Sequence, residues 1–153
     1  MKRALLVSLV SVVLAASPGY ASDPPKTFLR SGGERLQRGV QGSSCWGDLC
    51  SEVMNRYPRA VILSPGDTAR IRVRKPRKPD GLVIQAYRRI NDRGFGEGAA
   101  AEIDYRLRAV RVEGQVVAWD AVFVVEGRRH FYTDVFGRWG GNDASWKFHF
   151  KTE

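Results

Sequence analysis

Apolar and polar residues alternate along short segments of this chain, and turn sequences separate the segments. From Thr68 to Arg74 the alternation is strict, with Ala69, Ile71 and Val73 on one side and arginines on the other. A period of two is typical of a strand with one buried face. Turn signals recur roughly every 8–12 residues, and the longest amphipathic helical pattern covers only about two turns. The pattern therefore predicts an all-β fold.

The predicted strands number about seven or eight, which suits two packed sheets. Each sheet is apolar on one face only, so the two faces must bury each other, and this favours an antiparallel β-sandwich over a barrel. At the C-terminal end Trp146, Phe148 and Phe150 alternate with cationic residues. We expect these three aromatic side chains to lie in the core.

The N-terminus predicts export. Within residues 1–21, Lys2 and Arg3 precede an apolar run (4–16), and the small residue Ala21 ends the segment. This order is typical of a secretory signal peptide. The apolar run is shorter than the roughly 20 residues that span a bilayer, although an uncleaved anchor remains the alternative. Cleavage after Ala21 places the product in the periplasm or outside the cell.

The rest of the chain is predicted to be one domain with an unstructured start. Residues 22–35 are rich in Pro, Gly and Ser and have few apolar residues, which indicates a flexible leader. Residues 36–153 would then form the β-sandwich domain, long enough for one core but not for two.

The chain is strongly basic, and arginine dominates its cations. It contains nineteen arginines and six lysines, and removal of Lys2 and Arg3 with the signal peptide lowers the net charge from +9 to +7. Such a protein is attracted to anionic surfaces, nucleic acids and acidic polysaccharides at low salt. A coding bias toward arginine would give the same excess without a binding function.

The two cysteines, Cys45 and Cys50, are expected to form a disulfide in an exported protein. The four residues between them exclude the CxxC spacing of a thiol oxidoreductase. The bond should fix a local loop that holds Trp46. Because the closed loop is short, its entropic contribution is about 2 kcal/mol.

A row of cations is the first candidate binding site. Arg70, Arg72 and Arg74 should stand about 7 Å apart on one strand face, and Lys75, Arg77 and Lys78 continue the charge into the next loop. Guanidinium groups bind phosphate or sulfate through paired hydrogen bonds. The alternatives are a solvated face, or charges that keep a sheet edge from pairing with another chain.

A second candidate is an exposed aromatic ring. Trp139 lies beside Gly140 and Gly141, so we expect it in a loop, where it could face a ligand. The alternative is that Trp139, like most alternating aromatic residues, belongs to the core.

Three short motifs resemble a known group of proteins. Residues 42–46 (GSSCW) with Cys50, residues 63–67 (LSPGD) and residues 141–148 (GNDASWKF) stand in the order of the GSYCW…C element, the PGD turn and the closing GDASYAF strand. The chain thus resembles small exported bacterial proteins and lipoproteins of unknown function. That resemblance implies an immunoglobulin-like sandwich and carries over no catalytic residue. The chain departs from it by lacking a lipidation cysteine.

Catalytic and metal-binding patterns are weak. The histidines are His130 and His149, and without a clustered third ligand they make a poor zinc site. A hydrolase would need Ser145 with one of these histidines and Asp143, but no nucleophile elbow surrounds Ser145.

We therefore predict an exported, non-enzymatic β-sandwich that binds a protein or an envelope polymer and needs no metal or cofactor. One alternative is a cationic domain that docks on an anionic polymer, whether polysaccharide, envelope polymer or nucleic acid. The other is a small enzyme or metal-binding protein.

Overall fold

The computed structural model describes residues 23–52, 56–127 and 130–152. The predicted signal peptide, residues 1–21, lies outside these ranges. The described residues form strands, turns and loops, and none of them belongs to a helix that is long and apolar enough to cross a membrane.

Fourteen strands are present in the described residues, in place of the seven or eight predicted. Several of them are only two or three residues long, too short to leave a periodic pattern in the sequence. The strands are β1 (Thr27–Ser31), β2 (Glu34–Arg38), β3 (Val40–Trp46), β4 (Leu49–Ser51), β5 (Val61–Leu63), β6 (Thr68–Val73), β7 (Gly81–Tyr87), β8 (Arg89–Ile90), β9 (Gly96–Glu97), β10 (Ala101–Glu102), β11 (Arg106–Val112), β12 (Gln115–Val124), β13 (His130–Trp139) and β14 (Asn142–Thr152).

Two large sheets pack against each other, which confirms the all-β sandwich. Sheet A has the strand order β11-β12-β6-β1-β2, and sheet B has the order β10-β7-β13-β14-β3-β4. Within the sheets the strands are antiparallel, except that β5 joins β14 in parallel. Strands β8 and β9 form a separate small ribbon.

The core lies between the two sheets. Ala69, Ile71 and Val73 of β6 are fully buried, as their alternation predicted. From sheet B, Trp146, Phe148 and Phe150 are at most 2% exposed, so their predicted core position is confirmed. Because the side-chain period of a strand is two, the arginines between the buried residues of β6 must face away from sheet B.

The predicted flexible leader, residues 22–35, is wrong from Thr27 onward. Residues 27–38 form the β1–β2 hairpin, and β1 is an interior strand of sheet A between β2 and β6. Leu29 is fully buried in the core. The two-residue turn Gly32-Gly33 has positive φ at both positions, the conformation that a tight hairpin requires. The sandwich therefore begins before residue 36.

Strands β11 and β12 form a hairpin in sheet A. Their pairing register shifts between Val110 and Arg111, and the turn residues Glu113 and Gly114 both have positive φ. After β12 the chain crosses from sheet A to β13 in sheet B.

The predicted disulfide is present. Cys45 and Cys50 are directly opposite each other on β3 and β4 and are bonded. Trp46, at the end of β3, is 7% exposed and belongs to the core. A structural disulfide of this kind indicates a non-reducing environment.

Candidate anion-binding site

The outward side of sheet A is covered by arginine side chains. We call this surface the arginine face, and define it by seven arginines that the pairing registers place on the side away from the core, together with Arg74, which directly follows β6 and lies over the outward Phe28 ring. The seven come from four of the five strands of the sheet, and the full set is Arg30, Arg35, Arg38, Arg70, Arg72, Arg74, Arg106 and Arg108.

The strand register sets these arginines in rows across the sheet. One row runs through Arg106, Val122, Arg70, Arg30 and Arg35. Neighbouring strands lie about 4.8 Å apart and successive rows about 7 Å apart. This first row contains four arginines and no carboxylate, so the positive charge at the centre of the sheet is not neutralised within the row.

A second row runs through Arg108, Asp120, Arg72, Phe28 and Arg38, and it contains the carboxylate that the described strands place on the arginine face. Asp120 of β12 is 4% exposed and lies opposite Arg72 of β6. Arg72 donates two hydrogen bonds to it, from Nε to Oδ1 and from the terminal nitrogen to Oδ2, each 2.8 Å long. The hydrogen bond to Asp120 raises the pKa of Arg72. Arg72 is thus engaged in the structure and less available to a ligand.

Two further arginines cover an aromatic ring. Phe28 of β1 points outward in the second row, yet it is only 6% exposed. The guanidinium carbons of Arg35 and Arg74 lie 5.2 and 6.0 Å from its ring centroid. Cation–π contacts of this kind hold the guanidinium groups in place, and they keep the Phe28 ring from being a stacking surface.

Arg30 and Arg70 have the least compensated charges. They are directly opposite each other on β1 and β6 and are half-buried. The Nε atoms of both side chains are buried and have no hydrogen-bond partner among the described residues. Arg30 donates a hydrogen bond to the backbone oxygen of Gly33, which orients its guanidinium group.

The structure separates the predicted cationic row into two parts. Arg70, Arg72 and Arg74 lie on the arginine face, but Lys75 and Lys78 lie near tryptophans at the end of the sandwich. The Nζ atoms of Lys75 and Lys78 lie 4.8 and 6.0 Å from the ring centroids of Trp46 and Trp119. Arg77 pairs with Asp80 at 3.4 Å in an exposed position. These cations follow the row into the loop, but each contacts a different neighbour there, so a shared anion site with Arg70, Arg72 and Arg74 stays a prediction.

The expectation that Trp139 is an exposed ring is also wrong. Trp139 is the last residue of β13 and is 1% exposed. Its ring contacts Trp46 and Trp146 at centroid distances of 5.7 and 6.1 Å. Gly137 makes this possible, because a Cβ there would lie 2.6 Å from the Trp139 ring.

Five members of the arginine face were missed by the sequence analysis. Arg30, Arg35 and Arg38 fall in or beside the segment interpreted as a leader, although the Gly-Gly turn between two polar–apolar runs is a hairpin signal. Arg106 and Arg108 alternate with Leu107 in an evident strand pattern. Nothing in the sequence, however, says that β11, β6 and β1 belong to the same sheet.

The outward side of sheet B carries a different kind of charged group. Lys147 Nζ lies 2.9 Å from Asp134 Oδ1, and the Tyr57 hydroxyl donates to the same oxygen at 2.6 Å. The side chains of Lys147 and Asp134 are 6% and 12% exposed. Burial, and then the hydrogen bond to Asp134, raise the pKa of Tyr57 well above its ordinary value. We call these three residues the sheet B cluster.

The residues considered for catalysis are engaged elsewhere. Ser145 Oγ donates to the backbone oxygen of Ser43 at 3.1 Å. His149 Nδ1 lies 3.0 Å from the backbone oxygen of Pro58, and its ring stacks on Tyr132. The side chain of His130 lies outside the described residues. In the part of the chain that the structure describes, no three His, Cys, Asp or Glu residues are grouped to hold a metal ion.

A cavity of about 690 Å³ opens beside the arginine face. Phe123 and Phe131 are among its apolar lining residues, and Arg106 reaches it from β11. Its lining also includes the carboxylates of Glu102, Asp104 and Glu126, three exposed acidic residues. The mixed sign makes this cavity a poorer place for a polyanion than the row through Arg70.

No protein-family model, curated protein or solved structure matches this chain.

Proposed function

We propose that this protein is an exported, non-enzymatic binding domain that docks on an anionic polymer through the arginine face. The observation that carries the proposal is the charge balance of that face. Seven arginines of sheet A and the adjoining Arg74 lie on one side of the sheet, and the carboxylate that the described strands place among them is Asp120. A sequence-wide excess of arginine would be spread over both sheets.

The position of the interior arginines argues against an edge-protecting role for them. Charged residues blunt the edges of sheets, where unpaired backbone groups attract other chains. Arg70 and Arg30 instead lie on β6 and β1, which are hydrogen-bonded to strands on both sides. Their charges therefore have no edge to protect.

The ligand class follows from what the arginine face offers. Guanidinium groups recognise sulfate and phosphate oxygens through their planar fork of donors. Proteins that bind single-stranded nucleic acid add exposed aromatic rings on which bases stack, whereas Phe28 is covered by Arg35 and Arg74. An acidic polysaccharide or envelope polymer that bears sulfate or phosphate groups fits this surface better than nucleic acid. Outside the cytoplasm, in the periplasm or beyond, such polymers are accessible.

The test is the salt dependence of binding to heparin, used as a sulfated polysaccharide probe. Arg106→Gln/Arg108→Gln removes two exposed charges from the arginine face. Arg88→Gln/Arg93→Gln removes two exposed charges outside sheet A. The slope of log K against log salt should fall by about 1.5–2 in the first variant, and the second should stay within twofold of wild type. Equal losses in both variants, or no binding at 50 mM salt, would overturn the proposal.

A further inference from the structure

The two interior arginines Arg30 and Arg70 have a geometry that their structural surroundings do not explain. In a sheet, side chains directly opposite each other on neighbouring strands interact, and like charges there are destabilising. Arg30 and Arg70 hold such a like-charge position. Neither has an ion pair with any described residue.

Among the described residues, the pair also lacks acceptors for two of its hydrogen-bond donors. A buried donor without an acceptor costs free energy, and few such groups occur in folded proteins. Both Nε–H groups of the pair are in that state among the described residues. One oxyanion between the two guanidinium groups would neutralise the repulsion and supply acceptors for the unpaired donors.

We propose that Arg30 and Arg70 form a binding subsite for one tetrahedral oxyanion, a sulfate ester or a phosphate monoester carried by the polymer. This inference rests on the proposed function, and it assigns an oxyanion subsite to the centre of the arginine face. Each guanidinium contributes Nε–H and a terminal N–H in a side-on contact. Because the Nε atoms are covered in the unliganded protein, binding includes a small rotation of the two guanidinium groups toward the anion.

The neighbouring residues set the limits of this subsite. Arg72 is held by Asp120, so it acts as a positioning residue that keeps β6 and β12 in register rather than as a ligand. Both strands of the pair are interior, which fixes the two Cα positions before the anion arrives. Arg106 and Arg35 extend the row on either side and can receive the next anionic groups of a polymer.

The test uses inorganic sulfate and phosphate with the ¹⁵N-labelled protein. We expect the Nε–H resonances of Arg30 and Arg70 to shift saturably with sulfate at constant ionic strength, with smaller shifts for Arg88 and Arg93. In Arg70→Gln the apparent sulfate affinity should fall at least tenfold, while Arg88→Gln/Arg93→Gln keeps it within twofold. Sulfate also raises the melting temperature of proteins without binding at a site. If melting temperatures are measured, the sulfate-dependent increase in wild type is therefore compared with the increase in both variants.

The outcomes separate this inference from the proposed function. Shifts that are linear in sulfate, or uniform over all arginines, would refute the subsite even if heparin still binds the face. Saturable sulfate binding without heparin binding would refute the polymer proposal alone. Between pH 5 and 8, sulfate affinity should stay constant because arginine does not titrate. The affinity for phosphate should rise with pH as the second proton of phosphate dissociates. The anion that binds more tightly, sulfate or phosphate, indicates whether the polymer carries sulfate esters or phosphate monoesters.

Discussion

The outward sides of the two sheets both carry cations, but the cations differ in whether a carboxylate lies beside them. On sheet B, Lys147 is buried beside Asp134, and the Tyr57 hydroxyl is hydrogen-bonded to the same carboxylate. On sheet A, Arg30 and Arg70 lie opposite each other, and no carboxylate of the described residues pairs with either of them. The comparison teaches that a cation on a strand is structural where its partner is supplied by the same chain. At Arg30 and Arg70 the described residues supply no such partner, which is why we propose a ligand there.

The largest expected effect is on the sheet B cluster. Asp134→Ala should lower the free energy of unfolding by about 3–5 kcal/mol, because it leaves Lys147 buried without a counter-charge. Urea unfolding followed by tryptophan fluorescence measures this loss. Asp143→Ala, an exposed carboxylate on the same sheet, is the control and should change stability by less than about 0.5 kcal/mol. Similar values for the two variants would remove the structural role assigned to the cluster.

The next effect distinguishes two arginines on the same strand. Arg72→Ala should cost about 1.5–3 kcal/mol, because Asp120 loses two charge-assisted hydrogen bonds at a buried position. Arg70→Gln should change stability by less than about 0.5 kcal/mol, with a small gain from relief of the repulsion with Arg30. The same unfolding experiment applies. A loss in Arg70→Gln as large as that in Arg72→Ala would mean that both arginines are structural.

A third prediction concerns the disulfide at the edge of sheet B. Cys45→Ser/Cys50→Ser should lower the free energy of unfolding by about 2 kcal/mol, since the bond closes a short loop. Heparin affinity of the folded variant should stay within twofold of wild type, because β3 and β4 belong to the other sheet. A large loss of affinity at a temperature where the variant is folded would couple the two sheets, contrary to this account.

The smallest expected effect is at alkaline pH. The raised pKa of Tyr57 means that the folded state holds the phenol proton more tightly than the unfolded chain does. This contribution is therefore complete below about pH 10, the unfolded value, and is lost as pH rises above it. Stability should fall less steeply above pH 10 in Tyr57→Phe than in wild type. Tyr87→Phe, whose more exposed phenol also has a raised pKa, is the comparison and should alter the slope less.

The sequence predicted the fold class because a period of two is a local property of each strand. It predicted β6 and the C-terminal aromatic core for the same reason. It missed β1 because Gly32 and Gly33, which make a tight turn, were interpreted as flexibility. Trp139 was misplaced because the turn starts one residue after it, and Gly137 leaves room for its ring in the core.

The candidate site was only half predictable. Arg70, Arg72 and Arg74 are visible in the sequence as a row because they alternate with apolar residues along β6 and the position after it. Arg30 and Arg106 join them through the pairing of β1, β6, β12 and β11, which are distant in the sequence. Asp120 neutralises Arg72 and not Arg70 because the pairing register of β12 and β6 sets Asp120 opposite Arg72. No local pattern contains that information.

The most direct measurement is a map of amide chemical-shift changes when a heparin-derived oligosaccharide is added to the protein at low salt. This account predicts saturable changes on β6, β1 and β2 and at the start of β11, with Arg30 and Arg70 among the largest. Strands β13 and β14 of sheet B should change little. Changes centred on sheet B, or spread evenly over all basic residues, would contradict the assignment of binding to the arginine face.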